Sequence, residues 1–204
     1  SSLIGYALGS INPSYILSRK KHVDIRQSGT KNLGASNTFI HFGRCWGIFV
    51  MLFDIFKAFL AVKMCKILFQ RSIYSGLVAG CAAVLGHNHP AVLKFKGGKG
   101  VLATASMALI LSPIPFLILF AIFALIVGTS KYVSLGSVTV AVLYPVVLNA
   151  YFKFRFAGIE SALPGYAALS SILLAILIVW CHRGNLARIS NRTERKISFG
   201  KKPK

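Results

Sequence analysis

CWGIFVMLFDIFKAFLAVKMCKILF, residues 45–69, decides the class of fold: apart from Asp54 and a few lysines it is apolar from end to end. An α-helix needs about 20 such residues to cross the hydrocarbon core of a bilayer, and this stretch is longer. Asp54 and Lys57 stand three positions apart, which puts them on one face of the helix. Each is costly to leave unpaired in lipid, so the spacing predicts an intramembrane ion pair rather than two catalysts.

Working outward, apolar runs recur at Leu3 to Leu17, Ile73 to Leu85, Val101 to Leu111, Ile114 to Val127, Tyr132 to Phe152 and Leu163 to Trp180. Of 204 residues, 55% are hydrophobic and 14% charged, and the mean hydropathy is +0.66. An ordinary soluble domain does not have this composition. The pattern predicts an all-α, polytopic integral membrane protein of about seven transmembrane helices. Ile73 to Leu85 and Val101 to Leu111 are short, and five spans plus a re-entrant hairpin is the alternative. Leu3 to Leu17 has no basic segment before it and is followed by Arg-Lys-Lys, so it reads as a retained first helix rather than a cleaved signal. With no repeat or composition shift, residues 1–181 read as a single membrane-embedded domain. Residues 182–204 read as a cytoplasmic segment ending in a basic tail.

The formal net charge of +20 raises the question of nucleic acid, but the cations are spaced as in membrane loops. With seven spans, Arg19, Lys20, Lys21, Arg26, Lys31, Arg44, Lys94, Lys96, Lys99, Lys131 and the tail from Arg183 to Lys204 share one side. Only Lys63, Lys66, Arg71, Lys153 and Arg155 fall opposite. The positive-inside rule places the richer side and the C-terminus in the cytoplasm, with the N-terminus outside. Membrane lipids, through their anionic headgroups, are the partner this charge implies, and nucleic acid is not. Cys45, Cys65, Cys81 and Cys181 form no C-x-x-C pair and read as small hydrophobes. No metal or cofactor is expected.

Three polar blocks fall on the cytoplasmic side: DIRQSGTKNLGASNTF (24–39), GHNHPAVLKFKGGKG (86–100) and HRGNLARISNRTERK (182–196). Gly97, Gly98 and Gly100 allow positive φ and close backbone approach, so their amides are expected to turn toward an anion. A helix beginning near Val101 would add unpaired first-turn amides and its dipole, and Lys99 a charge. This is not a Walker A loop, because Gly100 stands where the magnesium-binding hydroxyl belongs. His87 and His89 are expected to position the loop rather than bind metal, since no carboxylate or cysteine completes a ligand set. The concentration of Gly, Asn and hydroxyls in these blocks predicts their convergence on one phosphate-gripping site. Glu194 is expected to pair with a tail arginine.

Read in order, Gly9-Ser10-Ile11, Val23 to Arg26, Asn32 with Gly34-Ala35-Ser36-Asn37, Asp54-x-x-Lys57, Gly86-His87, Lys94 to Gly100, Tyr132-Val133-Ser134-Leu135, His182-Arg183-x-Asn185 and Thr193-Glu194-x-Lys196 resemble the bacterial acyl-phosphate-dependent glycerol-3-phosphate acyltransferases. The resemblance spans nearly the whole chain. It implies an enzyme of the bacterial inner membrane that moves a fatty acyl group from acyl phosphate to the sn-1 hydroxyl of glycerol 3-phosphate, yielding lysophosphatidic acid and phosphate for phospholipid biosynthesis.

Carried over position by position, the resemblance gives catalytic roles to Thr30, Lys99, His182 and Asn185. It gives substrate-binding roles to Asn32, Gly34, Ser36, Asn37, Gly97, Gly98 and Gly100. An acyl phosphate is already activated, so direct attack by the glycerol hydroxyl needs no covalent intermediate, and the proton passes to His182 or to a donor phosphate oxygen. Two positions depart from the family: Lys31 replaces a glycine, and Ile40 stands where a phosphate-binding arginine is usual, with Lys31, His41 or Arg44 as substitute cations. A divergent acyltransferase with a changed acceptor or weak activity is therefore one alternative. A transporter of an organic phosphate is the other, though it predicts midplane polar features and related halves that the sequence does not display.

Overall fold

The computed structural model describes residues 1–155 and 163–197. Its α-helices in chain order are α1 (Ser2–Ser10), α2 (Pro13–Lys20), α3 (Ala35–Leu68), α4 (Ile73–Asn88), α5 (Val101–Leu111), α6 (Pro113–Ser130), α7 (Val133–Arg155), α8 (Leu163–Cys181) and α9 (Arg183–Ser190). No strand occurs among the described residues. The chain packs as two compact units, Ser1–Pro113 and Ile114–Lys204.

The apolar runs all become helical, but the expected count of seven crossings is not reproduced. By length and composition, α3, α6, α7 and α8 suffice to cross a membrane, whereas α1, α4 and α5 are shorter. Leu3 to Leu17 is not one helix. Asn12 caps α2 by accepting from the Tyr15 amide at 2.9 Å, and Pro13 at the first helical position has no N–H to continue α1. The run at 45–69 is the greater part of α3, which begins ten residues earlier and bends at Gly43, where φ is 84°. That conformation suits glycine.

In the first unit, α1 lies directly on α4. A Cβ on Gly5 would sit 2.3 Å from the Ala79 carbonyl oxygen, one on Gly9 2.1 Å from that of Ala83, and one on Gly86 2.3 Å from that of Tyr6. The Gly5-x-x-x-Gly9 spacing is the small-residue pattern by which helices approach closely in lipid. α3 packs against α1, α4 and α5 and buries Val50, Ala58, Ala61 and Val62. Its other face leaves Phe49, Leu52 and Phe56 exposed, which suits contact with hydrocarbon rather than water.

In the second unit, α7 packs along α8, and α9 touches both. α6 buries little beyond Pro115, Leu119 and Val127, so Ile114, Leu117 and Phe120 face outward.

Candidate functional site

In the first unit, the first two polar blocks meet. Ile25, Leu33 and Leu93 form a buried cluster backed by Tyr15 and Phe42, joining the 24–39 segment to the turn Ala91–Leu93 of the glycine loop. Tyr6 fastens the same turn, its hydroxyl donating to the His89 carbonyl at 2.8 Å and accepting from the Ala91 amide at 3.0 Å.

The glycines work differently from the sequence expectation. Only Gly100 takes positive φ, at 77°. The Gly97 amide donates to the Asn88 carbonyl at 3.0 Å and the Gly98 amide to the His87 carbonyl at 2.9 Å, so neither turns toward a ligand. They are glycines because of close approach: a Cβ on Gly97 would lie 2.1 Å from the His87 carbonyl oxygen, and one on Gly98 2.0 Å from His87 Nε2. The expected helix start is where it was placed. α5 begins at Val101 behind Gly100, with no side-chain cap. Its first-turn amides have no partner within the helix, and a half-buried Lys99 precedes them.

The 24–39 segment divides into scaffold and presented groups. Asn37, fully buried, accepts from the Thr30 amide at 2.8 Å and donates to the Ile25 carbonyl at 2.5 Å and the Ser28 carbonyl at 3.3 Å. Its carboxamide therefore shapes the loop. Thr38 donates to the Gly34 carbonyl at 3.0 Å and pairs with the Ser14 hydroxyl at 2.8 Å. The hydroxyls of Thr30 and Ser36 and the carboxamide of Asn32, beside Gly34, make no hydrogen bond among the described residues. Arg26 is spent locally, gripping Asp24 in a bidentate pair at 2.8 Å. That guanidinium, together with the Arg26 amide, holds the Asp24 carboxyl at about 2. Lys31 and Arg44 are exposed and form no ion pair among the described residues.

The predicted ion pair is present: Lys57 Nζ lies 2.8 Å from Asp54 Oδ1, both side chains buried. Lys57 also meets the Ile11 carbonyl at 2.7 Å and His87 Nδ1 at 2.9 Å. The buried charge thus bridges the break between α1 and α2 to the helix that leads into the glycine loop.

The third block lies in the second unit. His182 is buried, and its Nδ1 stands 2.8 Å from the Ile178 carbonyl. A carbonyl only accepts, so Nδ1 carries the proton and Nε2 is the basic nitrogen. Glu194 pairs with Arg188 at 2.7 Å and also accepts from Asn185 at 2.6 Å and Ser134 at 2.7 Å. Burial pushes this carboxyl up, but the hydrogen bonds from Asn185, Ser134 and Arg188 outweigh it and hold it below its usual range. This organising role was missed from sequence, where Glu194 read as half of one ion pair. Beside it, Val142, Pro145, Ile172, Ala175, Ile176, Val179, Trp180, Arg183 and Leu186 line an open apolar groove of about 480 Å³. Lys201, Lys202 and Lys204, counted in the basic tail, lie outside the described residues.

These features define a polytopic membrane protein with an uncapped helix start beside a lysine in one unit and a histidine–asparagine–glutamate cluster in the other. Residues 1–192 match the family model described as glycerol-3-phosphate acyltransferase, and the chain belongs to that family. It is 38% identical over 205 residues to glycerol-3-phosphate acyltransferase 2 of Bacillus cereus (strain ATCC 10987 / NRS 248), covering 99% of this chain and 96% of that protein. It is 37% identical over 198 residues to the glycerol-3-phosphate acyltransferase of Geobacillus kaustophilus, covering 97% and 94%. The crystal structure of PlsY, an integral membrane glycerol 3-phosphate acyltransferase, in its glycerol 3-phosphate form superposes with a TM-score of 0.82 at 29% identity, over 97% of this chain and 94% of that one. Its lysophosphatidic acid form gives 0.79 at 29% identity, over 97% and 93%. The chain is accordingly a membrane acyltransferase.

Proposed function

We propose that this protein transfers a fatty acyl group from acyl phosphate to the sn-1 hydroxyl of glycerol 3-phosphate at the cytoplasmic face of the bacterial inner membrane. The observation that carries the reading is the start of α5, uncapped behind Gly100 and flanked by Lys99. It offers amides, a helix dipole and a cation to one phosphate. The side chains of Thr30, Asn32 and Ser36 make no hydrogen bond among the described residues, Gly34 gives them room, and Asn37 holds the loop that carries Thr30.

In the reaction, the glycerol oxygen attacks the acyl carbonyl carbon and the bond from that carbon to the phosphate oxygen breaks. The hydroxyl proton goes to His182 Nε2 or to the departing phosphate. By the family resemblance, the role of Lys99 is to stabilise the developing oxyanion and that of Asn185, which Glu194 holds, to position the carbonyl. The donor's acyl chain lies in the apolar groove on α7 and α8, whose lining suits a hydrocarbon tail. Lys31, in a left-handed conformation with φ of 54°, supplies the cation absent at Ile40.

The test is incubation of the purified protein in lipid nanodiscs with glycerol 3-phosphate and either acyl phosphate or acyl-coenzyme A. Lysophosphatidic acid and inorganic phosphate appearing only with acyl phosphate is the expected result. Product from acyl-coenzyme A alone would refute the assigned donor.

A further inference from the structure

We propose that His87 is a further substrate-contacting donor of the glycine-loop site, its proton held on Nε2 by the buried Lys57–Asp54 pair so that this N–H meets the phosphate of glycerol 3-phosphate. The proposal rests on the functional reading above and adds a residue to that site.

Lys57 carries three protons and faces three acceptors: the Ile11 carbonyl at 2.7 Å, Asp54 Oδ1 at 2.8 Å and His87 Nδ1 at 2.9 Å. An ammonium only donates, so Nδ1 presents its lone pair and the proton of the neutral ring sits on Nε2. Asp54 Oδ1 is farther from the same nitrogen, at 3.4 Å. A doubly protonated ring would aim its Nδ1 proton at the lysine charge. Asp54 balances that charge, so the buried pair orients His87 without leaving a lone ion in lipid.

The Nε2 end is what Gly98 makes room for. His87 is 5% exposed, and Nε2 has no hydrogen-bond partner among the described residues. A Cβ on Gly98 would stand 2.0 Å from it, so only glycine leaves the nitrogen beside the loop. An N–H in so enclosed a place gains from an acceptor. Gly98, beside this nitrogen, is followed directly by Lys99 and, past Gly100, by the uncapped start of α5. An anion bound there satisfies Nε2 and the first-turn amides together.

The experiment uses the full chain in nanodiscs with glycerol 3-phosphate titrated at saturating acyl phosphate. Asparagine sets an amide near the position of Nδ1, and glutamine near that of Nε2. His87→Asn therefore keeps the partner of Lys57 without the donor, and His87→Gln keeps the donor. We expect His87→Asn to raise KM for glycerol 3-phosphate about tenfold to a hundredfold, the range for one hydrogen bond to a charged group. KM for acyl phosphate stays unchanged, and His87→Gln recovers most of the loss. In the wild-type protein, 15N NMR of labelled histidines should show a neutral Nε2–H ring whose signal both variants remove and that shifts on addition of glycerol 3-phosphate.

Equal losses in the two variants, an unchanged KM in His87→Asn, or an Nδ1–H or doubly protonated ring would overturn the proposal. If the variants do not fold, the wild-type tautomer and its response to glycerol 3-phosphate decide it. Wild-type protein that makes no lysophosphatidic acid would instead overturn the functional reading, which the NMR result does not replace.

Discussion

Asn185 Nδ2 donates to Glu194 Oε1 at 2.6 Å, and the same carboxylate receives Ser134 and Arg188. One acidic side chain thus holds the Asn185 carboxamide, the start of α7 and its own segment in register. Glu194→Ala leaves those donors without an acceptor and lets Asn185 turn. We expect kcat to fall about tenfold to a hundredfold, as for a misplaced catalytic group. The folded-state carboxyl lies below its ordinary value, so its stabilising contribution is complete above the usual carboxylate range and lost as pH falls through the folded-state value. Thermal melts should be flat from neutrality down to about 4.5 and decline below it. Glu194→Gln should lack that acid-dependent component.

Most of the helical architecture is legible in sequence, because lipid-facing helices must be apolar throughout and cannot hide their length. Val101 to Leu111 is recovered residue for residue, and Asp54–Lys57 follows from the cost of unpaired charge in hydrocarbon. Two things were hidden. The break at Asn12-Pro13 lies in a run that still reads as apolar, and its freed Ile11 carbonyl is met by Lys57 from a distant segment. Composition also points to the glycine loop as an anion site without showing that Gly97 and Gly98 spend their amides on the carbonyls of Asn88 and His87. Asn37 looks like a ligand-binding residue, yet its burial and three backbone contacts are tertiary facts.

Gly98→Ala and Gly100→Ala should fail for different reasons. At Gly98 the methyl strikes His87 Nε2, so the ring or the loop must move and KM for glycerol 3-phosphate should rise. At Gly100 the methyl meets Asn88 Oδ1 at 2.5 Å with φ at +77°, so strain adds about 1–2 kcal/mol of destabilisation. Comparing melting temperature with KM separates them: the Gly100 variant should lose more stability per unit of activity lost.

The Asp54–Lys57 pair should show strong coupling in a double-mutant cycle. Removing one partner strands a charge among buried groups and should destabilise by about 3–5 kcal/mol. Asp54→Leu combined with Lys57→Met should destabilise less than the two single changes together, because no lone ion remains. Additive losses in denaturant unfolding would show that the pair is not coupled.

Lys31→Gly tests whether the departure from glycine at this position is compensatory. A non-glycine residue at φ of 54° carries a backbone cost of about 1 kcal/mol, so the change should leave stability equal or slightly higher. Loss of the cation should raise KM for glycerol 3-phosphate several-fold, and Ile40→Arg in the same chain should restore it. A stabilised variant with unchanged KM would assign the cation to Arg44 or His41 instead.

The acyl groove is tested by filling it. Ile176 lines the groove and is 62% exposed, so Ile176→Trp adds bulk there without invading the core, where overpacking is costly. A longer chain buries more methylenes in the groove, each contributing about 0.8 kcal/mol. The substitution should therefore lower kcat/KM for eighteen-carbon acyl phosphate more than for a twelve-carbon donor, with KM for glycerol 3-phosphate unchanged. Equal loss for both donors would place the chain elsewhere on the protein.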